Sequence, residues 1–154
     1  MSSEEAGQLL VNSLDLVHHS PYAVRPQDGG KAVGIPVPLA NLVYHDCVFV
    51  PWICSGVGGW GIPDGDMGKL HCILNGQTPY LEESDDDGQM RKNIETAKEL
   101  CAIEKMVYNA ELISHKFLDK NRRIQQTLFS NGIRITVDFE KGSYSIQKDE
   151  SVRS

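Results

Sequence analysis

This chain has no block of basic residues and no run in which basic and aromatic residues interleave. That absence argues against nucleic acid as a partner. Lys and Arg number 15 against 21 Asp and Glu, a formal charge of −6 at pH 7. A mild acidic balance of this kind says little beyond solubility. No stretch of about 18 apolar residues occurs, so nothing reads as a membrane span. The opening Met1-Ser2-Ser3-Glu4-Glu5-Ala6-Gly7 lacks the charged-then-apolar pattern of a secretory leader. If the chain continues upstream that says nothing of location, which stays unknown. The cysteines Cys47, Cys54, Cys72 and Cys101 form no Cys-x-x-Cys pair and have no histidine at zinc-ligand spacing. Three of them sit in apolar runs and read as buried thiols.

Two ligand motifs are also missing. Residues 55–68 hold six of the 14 glycines, and Gly56, Gly58 and Gly61 match GxGxxG by letter. Pro63 and the glycines after it leave no helix to receive a pyrophosphate, which rejects a dinucleotide site. Asp85-Asp86-Asp87-Gly88 lacks the alternating donors and closing Glu of a calcium loop. It reads instead as the dipole-favourable flank of a helix. His18-His19 has no third ligand in reach, so no metal and no cofactor are expected.

What is present suffices for a core. Of 154 residues 40% are hydrophobic and 23% charged, the balance of a globular chain rather than a disordered one. Residues 8–19 fit a short helix. Pro21, Pro26, Gly29, Gly30 and Gly34 mark a loop over 20–34. Ile35-Pro36-Val37-Pro38-Leu39 is expected to be extended, because residues before proline avoid the α region. Leu42–His45, Cys47–Val50 and Lys69–Leu74 read as buried extended segments. From residue 91 to 110, apolar side chains at Ile94, Ala97, Leu100, Cys101, Ile103, Met106 and Val107 recur at helical spacing.

The last third is the most informative. Arg123–Phe129 and Ile133–Phe139 flank Ser130-Asn131-Gly132, and Ile133, Ile135, Val137 and Phe139 alternate with polar residues. That is a hairpin with one buried face, turned at Asn-Gly. A hairpin is marginal alone, and a helix running into it implies that two architectures meet near residue 119. The chain is therefore expected to be an excerpt of a larger protein, its polar tail past Gln147 frayed.

Ser114-His115-Lys116-Phe117-Leu118 with this hairpin resembles the end of the catalytic barrel in glycoside hydrolase families 129 and 101. There a helix, an "SHxFL" phrase and a "QxTxFSNGxxxTVNF" hairpin lead into a β-sandwich. Pro38-Leu39 and Leu42-Val43-Tyr44-His45-Asp46 resemble the "P-L-x-x-L-V-Y-H-D" strand of that group. Ser3-Glu4-Glu5-Ala6-Gly7 is similar to its "SE-G" segment. The chain departs from the pattern at Asp138, where the family has Asn, and in the glycine-rich 55–68 loop.

The resemblance implies an α/β fold, the C-terminal portion of a (β/α)8 barrel (residues 1–118) followed by the start of a β-sandwich, its first hairpin and tail (119–154). It implies a retaining hydrolase of α-linked N-acetylgalactosamine or a related sugar. Two carboxyl groups do that chemistry, one attacking the anomeric carbon, the other protonating the leaving oxygen and then activating water. Glu4 or Glu5 would be the acid/base. The nucleophile would lie in a missing N-terminal part of the same polypeptide, leaving this chain inactive alone.

For binding the sugar, His45 and Asp46 are candidates because they end a buried run, where barrel enzymes gather site residues. The alternative is a satisfied buried pair. Trp60 could stack on a sugar ring, whereas Trp52 reads as core. Asp64 and Asp66 could bind hydroxyls or simply suit a turn. His71 and His115 read as structural. Two other readings stay open: a non-catalytic carbohydrate-binding or structural remnant using Trp60, Asp64 and Asp66, and an independent small α/β protein.

Overall fold

The computed structural model describes residues 2–5, 13–19, 38–53, 65–81 and 83–152. Along the chain run β1 (Ser2–Glu5), β2 (Leu16–His19), α1 (Leu39–Tyr44), β3 (Pro51–Ile53), α2 (Gly65–Asn75), β4 (Thr78–Tyr80) and α3 (Asp87–Val107). Four strands complete it: β5 (Leu112–Phe117), β6 (Ile124–Phe129), β7 (Ile133–Asp138) and β8 (Ser143–Lys148). β1 pairs with β2 and β3 with β4, both in parallel, and a parallel bridge between Leu16 and Phe49 gives all four strands one direction. With α2 between them, β3 and β4 form a β-α-β unit. The last four strands form one antiparallel sheet in the order β5-β6-β7-β8. The architecture is mixed α/β.

Two expected strands are helices. Leu39–Tyr44 coils from Pro38, whose carbonyl accepts from Leu42 N at 2.9 Å. Its apolar run is too short for a period to separate helix from strand. Lys69–Leu74 lies inside α2, where every residue from Leu70 to Asn75 is buried. A helix buried all round shows no amphipathic stripe, so its sequence imitates a buried strand. The helix expected over 8–19 gives way to a strand at Leu16–His19, and residues 8–12 lie outside the described part, as do 20–37.

α2 stops at Gly76 by a paired closure. Gly76 N donates to Ile73 O at 3.2 Å and Gln77 N to Cys72 O at 3.1 Å, with Gly76 at φ +60°. That motif needs a left-handed residue just past the helix, which glycine adopts without strain. α3 starts where its acidic flank suggests: Asp86 caps it, accepting from Gln89 N at 2.7 Å. Asn93, Leu100, Ile103 and Val107 form its buried stripe.

The hairpin turns on three residues, 130–132, of which only Gly132 has positive φ (+83°). Asn131 does other work: its Oδ1 accepts from Ile133 N at 3.1 Å and its Nδ2 donates to Met106 O near the end of α3 at 2.6 Å. β8 was not expected, and the tail is tied down rather than frayed. Asp149 pairs with Arg134, and its backbone N donates to Gly132 O at 2.7 Å.

One core joins the helices to the sheet. Leu70, Cys72, Ile73 and Leu74 of α2, with Leu100, Ile103 and Val107 of α3, pack on Leu112, Phe129, Ile135, Val137 and Phe139. The Thr127 hydroxyl donates to Leu74 O at 2.5 Å, fastening the last turn of α2 to β6. Among the described residues, α2 and α3 cover the apolar face of β5–β8. β5 and β6 lie on either side of residues 118 and 119 and pair from Leu112↔Phe129 to Phe117↔Gln125.

Candidate functional site

The parallel strands have two unlike ends. Their C-terminal ends are Glu5, His19, Ile53 and Tyr80, with Glu5 in register with His19 and Ile53 with Tyr80. In barrel enzymes catalytic groups collect at this end, while the N-terminal end serves stability. Glu4 and Glu5 occupy the last two positions of β1, at the C-terminal end of the parallel strands; their side chains lie outside the described part. The connection from β3 to α2 leaves at this same end. It carries Trp60 and Asp64, which lie outside the described residues, and Asp66, of which the backbone in the first turn of α2 is described.

His45 and Asp46 stand at the other end. They follow α1 and precede β3, and the His45 ring reaches the turn before β4. His45 Nδ1 is 2.8 Å from Ala110 O and Nε2 is 3.3 Å from Gly76 O. The ring also meets Phe129 edge-on, 5.0 Å between centroids. It is a buckle between α1, the α2–β4 turn and the segment before β5. Asp46 is exposed and accepts from Cys47 Sγ at 3.3 Å, which helps hold that thiol above its ordinary pKa. The reason for placing both in a sugar site, that they end a strand, does not hold, because the run is a helix.

Comparison with solved structures follows this geometry. The chain superposes on α-N-acetylgalactosaminidase NagBb from Bifidobacterium bifidum with a TM-score of 0.77 and 34% identity, over 95% of this chain and 23% of that one (a quadruple mutant). The complex of that enzyme with GalNAc gives 0.74 and 34%, over 95% and 24%. The ligand-free form gives 0.74 and 35%, over 94% and 23%. The chain is α-N-acetylgalactosaminidase-like. It is related to glycoside hydrolases of that type and spans about a quarter of the length of the solved chains it matches. No protein-family model and no curated protein sequence matches it.

Within this α-N-acetylgalactosaminidase-like chain other polar groups are structural. Glu99 of α3 accepts from Lys69 of α2 at 2.5 Å and from Tyr144 of β8 at 2.8 Å. Burial pushes its carboxyl up, but those donors outweigh it and the pKa falls below the ordinary value. His71 stacks 4.5 Å from Phe139 and is held near pKa 4 by burial, with His115 a lesser cause. His115 sits in β5 rather than at a helix end, 2.9 Å from Gln125 Oε1. The described residues contain no group of three or more His, Cys, Asp or Glu able to hold a metal ion. No described helix is long and apolar enough to cross a membrane. Sequence reasoning missed the register between the Glu4-Glu5 and His18-His19 doublets, since only pairing reveals it.

Proposed function

We propose that this chain is part of a retaining glycoside hydrolase acting on α-linked N-acetylgalactosamine or a closely related sugar. It supplies the acid/base carboxylate and a binding loop, and the nucleophile comes from elsewhere in a longer polypeptide. The likeness to NagBb over 95% of the chain at 34% identity carries the reading. The position of Glu4 and Glu5 at the C-terminal end of β1 supports it. β1–β4 are then the closing strands of a (β/α)8 barrel whose other strands lie in the remainder of the polypeptide.

In a retaining mechanism two carboxyl groups stand about 5 Å apart across the glycosidic bond. One of Glu4 and Glu5 protonates the leaving oxygen as the bond to the anomeric carbon breaks. A carboxylate from the remainder of the polypeptide attacks that carbon. The same glutamate, now ionised, takes a proton from water as the water displaces the glycosyl-enzyme bond. Trp60 offers an apolar face to the sugar ring, and Asp64 and Asp66 accept from its hydroxyls. His45 and Asp46, at the opposite strand ends, are left out of this site.

The test is release of the phenol from an aryl α-N-acetylgalactosaminide by the chain alone, alongside binding of N-acetylgalactosamine. The expected result is no turnover, with binding that Trp60→Ala abolishes. Turnover by the chain alone would show that it holds both carboxyl groups, against this reading.

A further inference from the structure

We propose that the outer face of α1, carried by Leu39 and Val43, seats an apolar segment from the remainder of the polypeptide, outside this chain. That rests on the longer polypeptide proposed above and not on its sugar chemistry.

α1 is apolar on two sides. Inward, Leu42 packs on the main core, Tyr44 packs on Leu14 and Val48, and Asn41 is buried. Outward stand Leu39 and Val43, four residues apart and so neighbours on one side of the helix. Leu39 is 67% exposed and Val43 60%, the highest values among the described large apolar side chains. The helix, Leu39-Ala40-Asn41-Leu42-Val43-Tyr44, has no charged residue to set against solvent. α3 shows the contrast, meeting solvent with Arg91, Lys92, Glu95, Lys98 and Lys105. A helix that is apolar on its outward side as well as its core side belongs in an interior.

The size of the face selects its occupant. Two side chains present far less than the roughly 800 Å² per partner of a stable complex. A second copy or a separate protein is therefore not held by this face. A segment of the same polypeptide is, because the covalent link keeps it at high effective concentration. The solved relatives have the length to supply it, since this chain spans 23% and 24% of theirs. Leu39 and Val43 offer neither a hydrogen bond nor a counter-ion, so the matching surface carries no buried charge.

The experiment puts a cysteine at each position in turn, Leu39→Cys and Val43→Cys, and follows maleimide labelling site by site by peptide mass spectrometry. Glu95→Cys, on the exposed side of α3, is the reference. Labelling is compared between this chain and this chain grafted into NagBb in place of the segment it matches. In this chain alone both cysteines should label as fast as the reference. In the graft both should slow by about tenfold or more relative to it, because labelling then waits on local opening. Equal labelling in the two would overturn the proposal. So would slow labelling in this chain alone, since the cover would then be this chain or a second copy of it. Cysteines at the superposed positions of NagBb itself decide the matter if the graft does not fold, and free labelling there overturns the proposal. A graft that hydrolyses the sugar while both cysteines label freely sinks this inference and leaves the proposed function standing. Protected cysteines in a folded graft without hydrolysis do the reverse.

Discussion

Gly76 bears three constraints at once. It closes α2 in the left-handed region, a Cβ there would run into Val107 Cγ2, and the same Cβ would lie 3.1 Å from His45 Nε2 and 3.3 Å from Phe129 Cζ. Gly142 shares the backbone angle (φ +65°) but has open space around it. The two positions therefore separate strain from crowding. Gly142→Ala should cost about 1 kcal/mol, the left-handed penalty alone. Gly76→Ala should cost about 2–4 kcal/mol, since overpacking adds to that penalty. Denaturant midpoints of the two variants check this, and equal losses would show that the buckle around His45 yields. The contrast also explains why His45 is better read as a fastening: its ring nitrogens point to two backbone carbonyls, and Gly76 leaves room for it.

At the scale of elements, α2 meets the sheet through a histidine that cannot easily charge. His71 lies buried between α2 and Phe139 with its pKa lowered to about 4. In the unfolded chain it titrates near 6.5, so between these values the unfolded state holds more protons than the folded one. Stability from this residue is fully present above about pH 6.5, falls as pH drops toward 4, and levels off below. The loss is on the order of 3 kcal/mol. Thermal unfolding across that interval should show it, and in His71→Leu the slope should largely vanish; an unchanged slope would place the effect elsewhere. Elements of this kind differed in how far they were readable. The β6–β7 hairpin and α3 were plain because each has one wet face, which prints a period of 2 or about 3.6 on the sequence. From Leu70 to Asn75 α2 has no wet face, and α1 is barely more than a turn, so neither carries a period. β8 was hidden because its side chains are mostly exposed; its place comes from pairing with β7, from Ile133↔Lys148 to Asp138↔Ser143.

For the whole molecule, the parallel strands and the antiparallel sheet divide the labour. The sheet with α2 and α3 holds the main core, and α2 carries that rigidity to β3 and β4, between which it crosses. The start of α2, next in sequence to the proposed sugar contacts, therefore belongs to a helix anchored in the best-packed part of the chain. The site was legible only in part. Glu4 and Glu5 drew attention through resemblance, since a carboxylate near a chain end has no chemistry of its own to announce. His45 and Asp46 were drawn in by a strand that is a helix. That Glu5 stands in register with His19 shows only in the pairing of β1 with β2.

The central claim is that one of Glu4 and Glu5 is the acid/base of an α-N-acetylgalactosaminidase-like hydrolase. The most direct measurement grafts this chain into NagBb in place of the segment it matches and follows hydrolysis of an N-acetylgalactosaminide with a poor leaving group. The account predicts turnover that falls by about 10²-fold or more in either Glu4→Gln or Glu5→Gln, and in only one of them. A substrate whose leaving group departs without protonation should be spared in the first step. A folded graft that is inactive, or that keeps full activity in both variants, would contradict the account.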